Sequence, residues 1–343
     1  MHFTHTHLKA FGFTTLLLTL VACGSDESSE TTPDAGTSEE VTWGAGFEPG
    51  DEGTFMSVWG TSETDVWTVG GQPEAGVIYH RDADGWTKAS DVPDGPLLNW
   101  VHGAGDTLWV VGNNGRALRK TGDGNFEATD TGVTDPLWGV WAAAPDDVWA
   151  VGGDALRPAD EEPQPVLLHF DGTAWSQVPL PALDRTAPKA LFKVWGTGPD
   201  NVIAVGGRGV LLRYNGTEWA QETTGTGEDL ISLWGSGPDD IAVVGGRAGG
   251  VLSRWDGTAW QTSDLAGLPG LNGIWMSAAG QVQVVGNRGS AARIAEGFDF
   301  DRDQSGTLLV LHAVWGSPEG TLFAVGGSLD MAPPYEGVVL EGR

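Results

Sequence analysis

Apolar and polar positions along the chain fall into short runs, with no long amphipathic stretch. From Leu230 the order is "LISLWG", a polar turn "SGPDD", then "IAVVGG", then a Gly/Arg turn. It continues with "GVLSRW", the turn "DGTA" and "WQTS". Short runs bounded by Gly, Pro, Asp and Asn predict strands. The second run is almost continuously apolar, as expected of a strand buried on both faces. Asp-Gly at Asp84, Asp123, Asp171 and Asp256 and Asn-Gly at Asn215 predict tight hairpin turns, whose central residues need positive φ. The Gly-Gly pair after the second run is assigned the same turn role. No segment keeps a helical period, and the 53 glycines are accounted for by turns.

This four-run sentence repeats. Trp59, Trp141, Trp195, Trp234, Trp275 and Trp315 hold an anchor position inside the first run. In each unit a glycine follows eleven residues later: Gly70, Gly152, Gly206, Gly245, Gly286 and Gly326. A seventh unit, "VHGAGDTLWVVGNNG", carries His102 at the anchor. Seven units of about 40 residues, each of four strands A to D, predict an all-β, seven-bladed β-propeller. The last unit stops after strand C at Arg343. The segment around Trp43, "EVTWGAG", has the aromatic of a D strand and is expected to complete that blade, which removes the free edge. The D-strand aromatics are then Trp43, Trp86, Phe126, Trp175, Trp219, Trp260 and Phe298.

Most of the 17 tryptophans recur at fixed repeat positions and are expected to pack blade against blade. Trp100, Trp138 and Trp255 fall outside those positions and are candidates for a ligand surface.

The first residues read differently. An apolar run from Ala10 to Val21 follows Lys9. It is too short for a permanent span and reads as the apolar core of a signal peptide, residues 1–22. "LVAC" resembles the bacterial lipobox, which implies that Cys23, the only cysteine, becomes the lipidated first residue. Acyl chains would then bind a membrane. Gly24 does not resemble the aspartate signal for inner-membrane retention, so the outer membrane of a bacterial cell envelope is expected. Residues 23–40 are Ser, Thr, Asp and Glu with almost nothing apolar, and read as a disordered acidic tether. The propeller takes residues 41–343.

Net charge is −28, which disfavours nucleic acid as a partner. Acids cluster in the A–B and C–D turns, predicting one acidic face. The B–C turns on the other face carry Arg116, Arg208, Arg247 and Arg288 at near-equivalent places. These four are candidates for an anion site at the axial mouth, through bidentate hydrogen bonds. Asp299, Asp301, Asp303 and Ser305 alternate as oxygen ligands do in a calcium loop, although Gln304 and Val310 depart from that pattern. Calcium is the one cofactor so suggested. The histidines show no metal-ligand spacing, and no nucleophile elbow or phosphate-binding loop is present.

The repeat "VWG-x-GPDD…VGG…LLR…[DN]GT-x-W" resembles the BNR/YVTN-like propeller repeats of bacterial secreted proteins and lipoproteins. More distantly, it is similar to the propellers of photosystem II stability/assembly factors. The resemblance implies architecture more than activity. A sialidase is not implied, because the leading Ser of the Asp-box and the arginine signature are missing. The expected function is a lipid-anchored binding or scaffold module for a protein or polysaccharide partner. Residues 153–165, 178–192 and 327–336 are its expected contact loops. The alternative is a polysaccharide-active enzyme using Glu161, Glu162 and Asp184.

Overall fold

The computed structural model describes residues 40–343 other than Arg185, Glu296 and Asp330. Cys23 and the signal and tether segments up to Glu39 lie outside the described residues. The alternating runs form seven four-stranded antiparallel sheets, each in the order A-B-C-D from the axis outward. Blades 1 to 6 occupy residues 54–88, 98–129, 137–177, 191–222, 230–265 and 271–303. Blade 7 takes strands A to C from residues 310–342, and its fourth strand is Trp43–Phe47. That strand pairs antiparallel with Gly337–Gly342, Trp43 opposite Gly342. The first strand of the fold therefore closes the ring, and no blade is left with three strands. No helix among the described residues is long and apolar enough to cross a membrane.

In blades 1, 3, 4 and 5 the D-strand aromatic sits opposite the end of strand C: Trp86 with Arg81, Trp175 with Phe170, Trp219 with Tyr214, Trp260 with Trp255. In blade 6 Phe300, not Phe298, holds this place, opposite Ile294. The C–D turn is one residue longer there, which leaves Phe298 in the turn.

The "WG" step has a packing cause. The anchor Trp of one blade lies over the bare Cα of the glycine in the next. A Cβ on Gly103 would stand 2.5 Å from Trp59, and one on Gly316 2.6 Å from Trp275. Gly196 faces Trp141, Gly235 faces Trp195 and Gly60 faces Trp315 in the same way. The glycine that ends strand B has a second cause. A Cβ on Gly245 would meet the Asp229 carbonyl oxygen at 1.9 Å, and one on Gly326 the Val310 oxygen at 1.9 Å. Only the next glycine, as at Gly71, Gly153 and Gly246, adopts positive φ. The leading glycine is thus required by close strand approach and not by the turn.

Under this ring the axis is filled. Val58, Val101, Val140, Val194, Leu233, Ile274 and Val314 surround a void of about 10 Å³, too small for more than one water. The propeller has no through-channel, and its B–C face holds a blind cavity.

Candidate functional site

Each A strand begins with a β-bulge. The pairing with strand B skips one residue in every blade: Met56, Asn99, Trp138, Phe192, Ile231, Asn272 and His312. A bulged residue is released from the ladder and its side chain is re-aimed. All seven line one cavity of about 810 Å³ at the mouth of the axis. That volume is within the usual range for ligand sites. The Asn pair also braces the ring: Asn99 Nδ2 donates to Asn113 Oδ1 at 3.0 Å and to the Leu137 carbonyl of the next blade at 2.9 Å. Asn272 repeats this with Asn287 and Leu311.

The wall above the ring comes from the long loops. Ala155 enters from one, Leu308 and Leu309 from the D–A turn of blade 6, and Leu329, Met331, Ala332 and Pro334 from the loop of blade 7. Leu156, Leu308 and Met331 are the large apolar side chains most exposed among the described residues, at 92 %, 86 % and 64 %. All three stand at or beside this rim. Single exposed apolar residues mean little, but three around one concave site mark a contact surface.

The floor carries a buried lysine. Lys193, one residue after the blade 4 bulge, is 6 % exposed. Its Nζ lies 2.8 Å from the centre of the Trp100 ring and 3.5 Å from the Trp138 carbonyl oxygen. Burial pushes its pKa well below the ordinary lysine value. Glu336 is the one carboxylate among the described lining residues.

The four arginines separate. Arg247 and Arg288 line the cavity. Arg247 Nε donates to Asp229 Oδ2 at 2.8 Å, and its guanidinium lies 5.1 Å from the Phe192 ring centre. Arg208 is exposed, and its backbone N–H donates to Asp229 Oδ1; it does not line the cavity. Arg116 does not belong to the set. The turn residue equivalent to Arg208 and Arg288, with φ near +57°, is Asn114. Arg116, two residues later, turns its guanidinium onto the Pro93 and Pro96 carbonyls between blades 1 and 2. The expected four-arginine cluster is therefore two arginines and a buried lysine.

Trp100 and Trp138 both line the mouth. Trp255 instead packs on Trp260, with Arg213 over its ring. The acidic turns do share the opposite face: the C–D turn glycines Gly172, Gly216 and Gly257 abut Asp146, Asp200 and Asp239 of the A–B turns. Of the calcium-loop residues, Asp303 is buried and bound to Arg293 Nε at 2.9 Å and Gln283 Nε2 at 2.9 Å. Ser305 donates to the Gly289 carbonyl at 2.5 Å, while Asp299 and Asp301 are exposed. Among the described residues no group of three or more His, Cys, Asp or Glu is placed to hold a metal. Glu161, Glu162 and Asp184 are not in the cavity lining. Glu161 instead pairs with Arg157 at 3.5 Å, and the Asp184 backbone N–H donates to Gln221. His80 and His169 lie away from the mouth, each hydrogen-bonded to an aspartate, Asp65 and Asp147.

No protein-family profile matches the chain, and no curated protein matches it in sequence. Solved propellers match its fold. YCF48 from Cyanidioschyzon merolae aligns over 87% of this chain and 98% of its own, with TM-score 0.64 and 16% identity. YCF48 bound to D1 peptide aligns over 87% and 96%, with TM-score 0.62 and 15% identity. Virginiamycin B lyase from Staphylococcus aureus aligns over 89% and 99%, with TM-score 0.68 and 12% identity. At these identities the likeness is one of fold.

Proposed function

We propose that this chain is a binding module of a bacterial cell envelope, and that its axial mouth receives a protein segment with apolar side chains. The observation that carries the reading is the convergence of seven bulged residues, one per blade, on a single blind cavity. Those positions vary from Met to Asn, Trp, Phe, Ile and His, while the anchor and the B-strand glycine around them repeat. A ring that varies inside a fixed scaffold is suited to recognition. The apolar rim of Leu156, Leu308 and Met331 suits a protein more than a sugar chain. The YCF48 structure bound to D1 peptide is a propeller of this fold with a peptide partner, which supports a protein partner here. Anionic groups on the partner are favoured by Arg247 and Arg288.

The polysaccharide-active alternative needs two carboxylates close together. The mouth offers Glu336 alone among its described lining residues.

Selection of a random peptide library on the full chain tests the reading. Enriched peptides should bind saturably and lose at least about tenfold in affinity to Ile231→Arg, which puts a charge into the ring. Binding unaffected by that change would place the site elsewhere. Release of a shortened polysaccharide would replace the reading with the enzymatic one.

We also propose that Cys23 is lipidated and holds the propeller at the outer membrane. The sequence around Leu20–Cys23 supports it. Cys23→Ser should move the chain from the detergent phase to the aqueous phase and abolish palmitate labelling.

A further inference from the structure

We infer that Lys193 is the floor of a carboxylate subsite: the ligand of the axial mouth presents a single carboxylate to its ammonium, flanked by aliphatic or aromatic groups. This rests on the mouth being the binding site.

The other blades place Ser57, Trp100, Gly139, Ser232, Gly273 and Ala313 where blade 4 has Lys193. These are small or aromatic, so the ring does not need a cation there to close. Lys193 is nevertheless kept 94 % buried in a chain of net charge −28 with acids in abundance. None of the described acids forms an ion pair with it. Its contacts among the described residues are the Trp100 face and, at the limit of hydrogen-bond length, the Trp138 carbonyl. A buried charge is costly unless it is paired. The aromatic face offsets part of that cost. Without an acid the amine sheds its proton, which is why burial lowers its pKa; among the described acids none holds it charged, and a carboxylate entering the cavity that Lys193 lines would do so. Arg247, its Nε on Asp229 and its side chain 59% exposed, meets an anion at the rim and not at the floor. Arg288, exposed at the rim, draws an anion toward the mouth without reaching the floor.

The chemistry selects the anion. One cation, with Met56, Phe192 and Ile231 around it, neutralises one charge. A phosphate monoester, which carries up to two charges, would stay under-paired in a desolvated site. A carboxylate next to an apolar group matches both walls and floor. It can come from an acidic side chain or from a chain end.

The test uses the full chain and four short peptides of one apolar composition. One has a free C-terminus and one an amidated C-terminus. A third is amidated with an internal Glu, and the last is amidated with Gln in its place. Calorimetry should show at least one carboxylate peptide binding about tenfold or more tighter than its neutral twin, as a charge-assisted contact requires. Which of the two does so names the source. Lys193→Met should erase that difference and leave the weaker, apolar affinity. Lys193→Gln carries the same expectation and is the second variant if Met disturbs the ring. Neutral twins that bind as tightly, or a preference that survives both variants, would overturn the subsite and leave the mouth reading intact. Failure of all four peptides, or binding indifferent to Ile231→Arg, would instead overturn the mouth reading and the subsite with it.

Discussion

The backbone N–H of Ala142 donates to Nδ1 of His102, 3.2 Å away across the boundary between blades 2 and 3. This pair stands where the other boundaries have a Trp over a Gly. In blade 2 the anchor is the smaller imidazole, and the following blade carries a Cβ in return. The boundary after Trp234 is the other exception. There the next blade has Met276 where the regular boundaries have a glycine, and Trp234 packs against the cluster that holds Met276. The "WG" motif is therefore a property of two neighbouring blades.

Adding a methyl where a Trp already lies is overpacking. Gly103→Ala, beneath Trp59, should lower unfolding free energy by about 1–3 kcal/mol. Ala142→Gly, facing His102, should cost no more than about 1 kcal/mol, the ordinary price of a glycine in a strand. Urea unfolding of both variants checks the contrast. Equal losses would sink the interlock.

His102 is half-buried between Trp59 and Trp141, and desolvation pushes its pKa down to about 3. Unfolded, it titrates near 6.5. Between these values the unfolded chain binds a proton that the folded one does not, so stability falls as pH drops below about 6.5. The slope is about 1.4 kcal/mol per pH unit. His102→Phe lacks this group while keeping every carboxylate. Its stability relative to the parent should therefore improve by about 2 kcal/mol between pH 7.5 and pH 5. A difference that stays flat with pH would mean that His102 is protonated in the fold.

Arg116 and Arg208 look alike in sequence and differ in the fold. Arg116→Ala strands the Pro93 and Pro96 carbonyls and should cost about 1–3 kcal/mol. Arg208→Ala changes an exposed side chain and should stay within about 0.5 kcal/mol. Thermal melts of the two variants decide it, and the reverse order would restore Arg116 to the mouth set.

Asp303 has a side chain that is 0% exposed, paired with Arg293 and accepting from the backbone N–H of Val41 at 3.4 Å. Asp303→Ala removes a buried carboxylate from three donors, Arg293, Gln283 and the Val41 N–H, and should cost about 1–3 kcal/mol. Asp299→Ala and Asp301→Ala should be nearly neutral. A melting temperature that rises with added calcium, and loses that rise in Asp301→Ala, would reinstate the metal loop.

The repeat spacing made the blades, their four strands and the closure by Trp43 readable, because each rests on local pattern. The site was readable only in part. Trp100 and Trp138 stood out as aromatics off the repeat grid, but the ring they belong to did not. A β-bulge leaves no composition signal, and its residue looks like one more strand position. The signal present was variability: three residues before the anchor, the repeat reads Met, Asn, Trp, Phe, Ile, Asn, His. Lys193 was hidden for another reason. Its burial depends on Trp100 of blade 2 and Trp138 of blade 3, contacts that no spacing in the chain announces. Arg116 was misplaced because two residues of turn separate it from the left-handed position held by Asn114.

The bulges also bear on how this protein can change over time. A residue outside the ladder can be exchanged without altering any strand's register. Apart from Asn99 and Asn272, which brace the ring, each such position is one where mutation is tested for affinity before it is tested for folding. A lineage could retune its partner one blade at a time, and a designer could do the same with a five-site library at Met56, Trp138, Phe192, Ile231 and His312.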